Sequence, residues 1–302
     1  MITEKLIGKN LCGITPEKDD CGCVQMLTVQ KAPVTLCVCL GEEWRIQWPK
    51  YAAAADLVEL RIDLMFPEGA TTLEVTEALA PLLHDNNSKI VLTCRTGATS
   101  QEARLDLFLA LLPFMPAYID LEHDTPKNFS EPLYTAVQSL RATTPATATQ
   151  IPTGTTCNRA TTTCNPASTT HSPANTICNP ANTTQIIASY HNVDATPDTS
   201  QLCAIADHAL LKGADLVKIV TCCRHPEDEE RLLSLYRVPR FTNRIIAFSL
   251  GPYALTSRLH AVASGAPILF VAPDEGPTTS PGQPRFSKFK AHLANVLCGI
   301  TS

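Results

Sequence analysis

The sequence predicts a closed (β/α)8 TIM barrel, and three observations carry that expectation. Eight short runs rich in Val, Ile and Leu recur along the chain, at residues 34–41, 56–65, 89–96, 117–122, 185–192, 215–221, 244–250 and 267–272. Most are separated by segments whose Leu and Ala residues repeat at helical spacing, the alternation expected of an all-parallel sheet. Charges also line up on one face of several strands, where a parallel strand should be buried on both sides. Such strands need a shared polar interior, which a barrel provides at the C-terminal ends of its strands. Finally, no G-x-G-x-x-G follows the first strand, as a dinucleotide-binding open sheet would require.

Taken in order, the first run is VTLCVCLG, apolar throughout. In the second, Glu59, Arg61 and Asp63 fall on one face and Val58, Leu60, Ile62 and Leu64 on the other, because strand side chains alternate. Helical spacing then covers 71–84, a third strand follows, and EARLDLFLALL lies in a helix over 101–112. In the fourth strand Asp120 and Glu122 oppose Ile119 and Leu121. In the sixth, Lys218 is in phase with Leu216 and Val220. Helical patterns at 200–212, 226–238, 256–264 and 285–297 complete the alternation.

Two regions stand apart from the single catalytic barrel expected over residues 34–302. Residues 1–33 read as an irregular N-terminal extension. Residues 142–184, between helix four and strand five, hold four successive heptads: CNRATTT, CNPASTT, HSPANTI and CNPANTT, from Cys157, Cys164, His171 and Cys178. Proline and threonine without an apolar seam exclude a coiled coil, so this is a low-complexity insertion. Its Cys and His spacing matches no closed metal site.

Composition excludes several classes. The net charge of -5 argues against a nucleic-acid binder. No stretch approaches the ~20 apolar residues of a membrane span, and residues 1–10 lack a signal-peptide core, so a cytoplasmic protein is expected. Thirteen cysteines without paired C-x-x-C spacing read as reduced thiols, several of them small buried hydrophobes.

Lys218 is the most informative residue. A lysine within an apolar parallel strand loses hydration, and burial favours a neutral amine able to attack a carbonyl. His191 ends the fifth strand in phase with Ser189, so it should face the same interior from the neighbouring strand and move protons there. Arg61, Arg95 and Arg258 end a strand or open the next helix, a set suited to an anionic, hydroxyl-bearing substrate.

With VELRID, VLTCRT, YIDLE, SYHN, GADLVKIV, LTSRL and SPGQ in this order, the chain resembles the type I dehydroquinases from about residue 34 to 297. The resemblance implies dehydration of 3-dehydroquinate to 3-dehydroshikimate, a step of the shikimate pathway toward aromatic amino acids. Lys218 would form a Schiff base with the C3 ketone, and His191 would remove a C2 proton and later protonate the leaving C1 hydroxyl. Glu59, Arg61 and Arg95 would contact hydroxyl groups, Arg258 the carboxylate, and Thr279 and Gln283 would close over the substrate. No cofactor and no metal would be needed, and a homodimer is implied. One departure concerns the histidine: the family's orienting glutamate is replaced by Thr99, with Glu102 nearby as a substitute.

Two other readings remain open at this stage. A class I aldolase would use the same imine to cleave a C–C bond, although PDEGPTTSPGQP is unlike a phosphate cradle. A degenerate barrel would bind a ligand without catalysis.

Overall fold

The computed structural model describes residues 34–97, 100–143 and 183–299. Eight strands run in one direction: β1 (Thr35–Leu40), β2 (Leu57–Arg61), β3 (Ile90–Thr93), β4 (Tyr118–Glu122), β5 (Gln185–Asn192), β6 (Leu216–Cys222), β7 (Ile245–Leu250) and β8 (Ile268–Val271). They pair in the order β7-β6-β5-β4-β3-β2-β1-β8, every pair parallel. Pairing of the first strand with the eighth curls the sheet into a nearly closed barrel, as the strand pattern predicts.

The seam lies between β7 and β8, which share no ladder among the described residues. Arg258 bridges it. Its Nε donates to Phe270 O on β8 (3.0 Å) and its Nη1 to Ser249 O on β7 (3.1 Å) and to Ala254 O (2.7 Å).

The eight covering helices are α1 (Trp44–Ala54), α2 (Thr72–Asn86), α3 (Gln101–Leu111), α4 (Lys127–Thr143), α5 (Thr199–Leu211), α6 (Pro226–Leu233), α7 (Ala254–Ala263) and α8 (Phe286–Gly299). Helix α2 shows how the sequence specifies them. Glu74 N donates to Thr71 Oγ1 (3.2 Å) and Thr71 N to the Glu74 carboxylate (2.8 Å), a reciprocal cap. Val75, Leu79 and Leu83 then recur at one per turn and are buried on the sheet. Burying each such side chain contributes roughly 1.5–3 kcal/mol. The same layer continues through Leu107, Phe108 and Leu111 of α3, Leu133 and Val137 of α4, and Leu202 and Ala206 of α5.

Some boundaries differ from the sequence reading. The second strand stops at Arg61, and Ile62–Met65 forms one helical turn. Asp63 therefore leaves the alternation and turns back on Arg61, which donates to it twice (3.0 and 2.7 Å). Helix α6 ends at Leu233, and Ser234–Arg237 tightens into a 3-10 turn before Pro239. Helix α1 carries a weak pattern, with Gln47 on its buried face and Pro49 within it, whereas α4, which holds Pro132, buries Phe129, Leu133 and Val137 beside Ser130.

The extension at 1–33 and residues 144–182 of the heptad insertion lie outside the described residues, while Ala142 and Thr143 belong to α4. The chain leaves α4 and re-enters β5 at a polar clamp. Arg141 donates to Thr184 O through Nε (3.0 Å) and Nη2 (2.7 Å) and also to Asp215 (2.5 Å), which accepts Ile186 N (2.7 Å). This junction sits at the N-terminal ends of the strands, opposite the face that carries active sites in this architecture.

Candidate active site

Lys218, His191, Glu59, Arg61, Arg95, Arg258, Thr279 and Gln283, the residues singled out from the sequence, all line one cavity of about 210 Å³. That equals roughly seven waters at ~30 Å³ each, the scale of a small polar metabolite. The cavity opens at the C-terminal ends of the strands, and Val220, Phe248, Leu250 and Phe270 form its apolar wall.

Lys218 points inward from the middle of β6 and is 3% exposed. Register explains its company. Lys218 pairs with Ser189 on β5, and Ser189 with Glu122 on β4, two residues beyond Asp120. The strand pattern leads one to expect an unpaired buried amine. Instead the ammonium touches the Asp120 carboxylate, lies 3.7 Å from Glu59, and sits 4.0 Å from the centre of the Phe270 ring. Pairing offsets the cost of burying each charge alone.

Asp120 is fully buried and was not singled out as functional from the sequence; the signal was its phase in YIDLE, on the charged face. Its Oδ1 accepts from the Ser189 hydroxyl (2.6 Å), which in turn accepts from Arg95 Nη1 (2.6 Å). Arg95 is 3.4 Å from the same carboxylate. Burial opposes ionisation of Asp120, but Lys218, then Arg95, and hydrogen bonds from Lys218 and Ser189 hold its carboxyl well below the usual range. Glu59 is governed alike: burial works against the charge, and Lys218 and Arg61 outweigh it, so its carboxyl is lowered. Thr93 adds a hydrogen bond to Glu59 Oε1 (2.8 Å). Arg61, despite its own desolvation, is held more firmly charged by Asp63 and Glu59.

His191 stands at the mouth, its surface open to solvent at the end of β5. Desolvation by the walls, and then the positive charges of Arg95 and Lys218, lower its pKa well below the ordinary histidine value. The imidazole is thus neutral at neutral pH and able to accept a proton. Thr99 lies outside the described residues. Glu102 is exposed in the first turn of α3 and makes no hydrogen bond to His191 among the described residues.

Arg258 differs from the other cations. It is 1% exposed, stacks 4.0 Å over Phe248, and has no carboxylate partner among the described residues. Burial pulls its pKa down to about 9. A buried guanidinium bonded only to carbonyls lacks a counter-charge, which an anionic ligand would supply.

The segment over the cavity is stitched to both sides. Gln283 donates to Cys39 Sγ on β1 (3.2 Å) and accepts from Thr279 N (3.2 Å) and Oγ1 (3.0 Å). On the other side Gly251 N donates to Pro281 O (3.2 Å). Gly282 has φ +71°, and a Cβ there would lie 2.6 Å from Gly251 O, so the contact requires glycine.

A sequence model described as type I 3-dehydroquinase matches residues 34–143 and 169–296. A 3-dehydroquinate dehydratase of Pyrococcus abyssi is 26% identical over 238 residues, covering 77% of this chain and 83% of that protein. Shorter matches reach 38% identity over 117 residues with the Pyrobaculum aerophilum protein of the same name (39% of this chain) and 35% over 117 with that of Syntrophobacter fumaroxidans (38%). Those two matches span 36% and 50% of the relatives' own lengths. Among solved structures, the type I 3-dehydroquinate dehydratase of Clostridium difficile superposes with a TM-score of 0.63 at 18% identity, and the 3-dehydroquinate dehydratase of Geobacillus kaustophilus with 0.64 at 16%. Each superposition covers 88% of this chain and 92% of the other and shows the same fold. From residue 34 to 296, then, with a break at 144–168, this chain belongs to the type I 3-dehydroquinase family.

Proposed function

We propose that this protein dehydrates 3-dehydroquinate to 3-dehydroshikimate through a Schiff base on Lys218. The observation that carries the reading is the convergence, in one cavity, of a buried lysine, a neutral histidine and an arginine to which the described residues offer no counter-charge. Family membership and the names of the curated relatives support the same substrate.

The chemistry follows from the positions. Lys218 attacks the C3 ketone and water departs, leaving a protonated imine. The imine withdraws electrons, which acidifies the C2–H enough for His191 to remove the proton. The resulting enamine expels the C1 hydroxyl as His191 returns the proton, and hydrolysis frees a conjugated enone. The imine is itself the electron sink, so the chemistry calls for no further cofactor. Arg258 holds the substrate carboxylate; Glu59, Arg61 and Arg95 contact its hydroxyl groups; Thr279 and Gln283 close the eighth loop over it.

A homodimer and a cytoplasmic location belong to the same reading, as expectations for an enzyme of aromatic amino acid biosynthesis. Among the described residues no helix is long and apolar enough to cross a membrane.

The test is borohydride trapping with 3-dehydroquinate, followed by intact mass and peptide mapping. The expected result is a reduced adduct on Lys218, absent in Lys218→Ala together with turnover. Turnover at the original rate in Lys218→Ala would refute the mechanism, as would a folded protein that turns over substrate with no trappable adduct.

A further inference from the structure

Resting on the reading that Lys218 forms the imine, we propose that Asp120 is the proton store that lets Lys218 react. It takes a proton from the ammonium as the carbonyl enters and gives it to the carbonyl oxygen, which leaves as water.

Asp120 has no anchor in the apolar layer around it. Its described partners are Lys218, Ser189 and Arg95, all directed into the barrel interior. A carboxylate with no exposed surface is retained there at a desolvation cost that an apolar residue would avoid. The division of its oxygens is informative. Oδ1 accepts the Ser189 hydroxyl and faces Arg95, while Oδ2 contacts the Lys218 ammonium and has no other partner among the described residues.

The other groups facing the amine are less suited to hold its proton. Glu59 on β2 is farther, at 3.7 Å, and its Oε1 already accepts from Thr93. Arg61 on β2 and Arg95 beyond β3 are cations and cannot accept a proton. On β1, burial raises the Cys37 and Cys39 thiols, which therefore stay protonated. His191 on β5 stands at the mouth, where the C2 proton must be met. From β8 the Phe270 ring offers only its face.

The proton count closes. The ammonium begins with three protons and the protonated imine keeps one. One proton passes from Lys218 to Asp120, which frees the lone pair for attack on C3 and pushes the carbonyl electrons onto oxygen. Asp120 returns that proton to the oxygen, then takes a second proton from the nitrogen and passes it to the resulting hydroxyl. Oxygen leaves as water as the nitrogen lone pair forms the C=N bond. Asp120 ends as a carboxylate beside the positive imine it now stabilises, and no oxidant, reductant or outside base is consumed.

The proposal separates two quantities that ordinarily move together. Without the carboxylate, the amine is freed of its proton more easily, because an opposite charge in contact favours the charged form. Imine formation should nonetheless slow, because the returned proton is missing. In Asp120→Asn, labelling of Lys218 by an amine-directed imidoester at a fixed neutral pH should be faster than in the wild type. Rapid-quench borohydride capture of the 3-dehydroquinate imine should slow by about 100-fold. Capture at the wild-type rate, or labelling no faster than in the wild type, overturns the proposal; loss of packing alone would not make the lysine more reactive and the imine slower. Should Asp120→Asn fail to fold, Ser189→Ala keeps the carboxylate but removes its Oδ1 partner. Capture should then slow by about tenfold, the worth of one hydrogen bond, and an unchanged rate is equally decisive against it. If the wild-type protein itself gives no adduct, the Lys218 reading has failed, which differs from an adduct that forms equally fast without Asp120.

Discussion

Replacing Arg258 with methionine separates the role its guanidinium holds, seam bridge, from the one proposed for it, anion receptor. Burial lowers its pKa from the ordinary 12.5 to about 9. At ~1.4 kcal/mol per tenfold change in proton affinity, holding that charge costs roughly 5 kcal/mol. The sign is that of a base with a depressed pKa: the charged form is penalised at every pH below the folded value, so the full cost applies at neutral pH. Against it stand the bonds to Phe270 O and Ser249 O along the seam, Ala254 O being served already by the ladder of α7. Leaving two buried carbonyls unpaired costs about 1–3 kcal/mol each, or roughly 2–6 together. The opposing costs are of the same size, so Arg258→Met should change unfolding free energy by no more than about 3 kcal/mol in denaturant titrations. Substrate recognition has no such compensation. Losing one or two hydrogen bonds to a carboxylate, at about 1.5–3 kcal/mol each, should lower kcat/KM by about 100-fold or more, mostly through KM. Small hydroxylated carboxylic acids should raise the melting temperature of the wild type and leave the variant unmoved. An unchanged KM, or a loss of stability well beyond 5 kcal/mol with no response to carboxylates in either protein, would reduce Arg258 to a structural bridge.

Four further outcomes follow from the same geometry. Because the His191 pKa is depressed, the base is lost only when pH falls below that lowered value, so the acid limb of kcat/KM should lie below the ordinary ~6.5; a limb above 6.5 in a pH–rate profile contradicts the assignment. Gln283→Ala releases the loop from Cys39 and Thr279, and KM should rise about tenfold with a smaller change in kcat, measured by following the enone product. Replacing residues 146–180 with a short Gly/Ser linker should leave kcat/KM within about twofold, since Arg141 ties α4 to Thr184 at the end of the barrel remote from the cavity; Arg141→Ala should instead cost about 1–3 kcal/mol of stability in denaturant titrations.

The residues legible in the sequence are those whose position follows from strand phase. Glu59 and Lys218 sit inside β2 and β6, where period-two alternation assigns a face, and both point into the cavity. Arg258 is legible only from its place at the opening of a helix, and Gln283, outside the strands, only through the resemblance, because loop geometry leaves no periodic trace. Asp63 shows the limit of the method: one helical turn after Arg61 ends the alternation and makes it a local clamp rather than an interior residue. Helix α1 escaped a residue-by-residue reading because its buried face mixes Trp44, Gln47 and Tyr51 rather than repeating aliphatic side chains; in α4 the buried Ser130 adds a polar residue to a face otherwise set by Phe129, Leu133 and Val137. Ser189 was visible only as a residue in phase with His191; that it joins Arg95 to Asp120 depends on the β4–β5 and β5–β6 registers, which no single strand encodes.

The charges of the cavity explain why these residues form a set. Arg61 is matched by Asp63, and Lys218 and Arg95 face Asp120 and Glu59, so each of these cations has a carboxylate within reach. Arg258 has none among the described residues, and it stands against the apolar wall of Phe248 and Phe270. On the proposed reading a carboxylated substrate would meet its strongest attraction at one end of the cavity, where the described residues supply no partner charge. Its ketone would be left toward the other end, where the proposed reaction has Asp120 in contact with the amine. Orientation follows from this asymmetry. A symmetric arrangement, with a carboxylate against Arg258 as well, would remove the preference and with it the placing of C3 against Lys218.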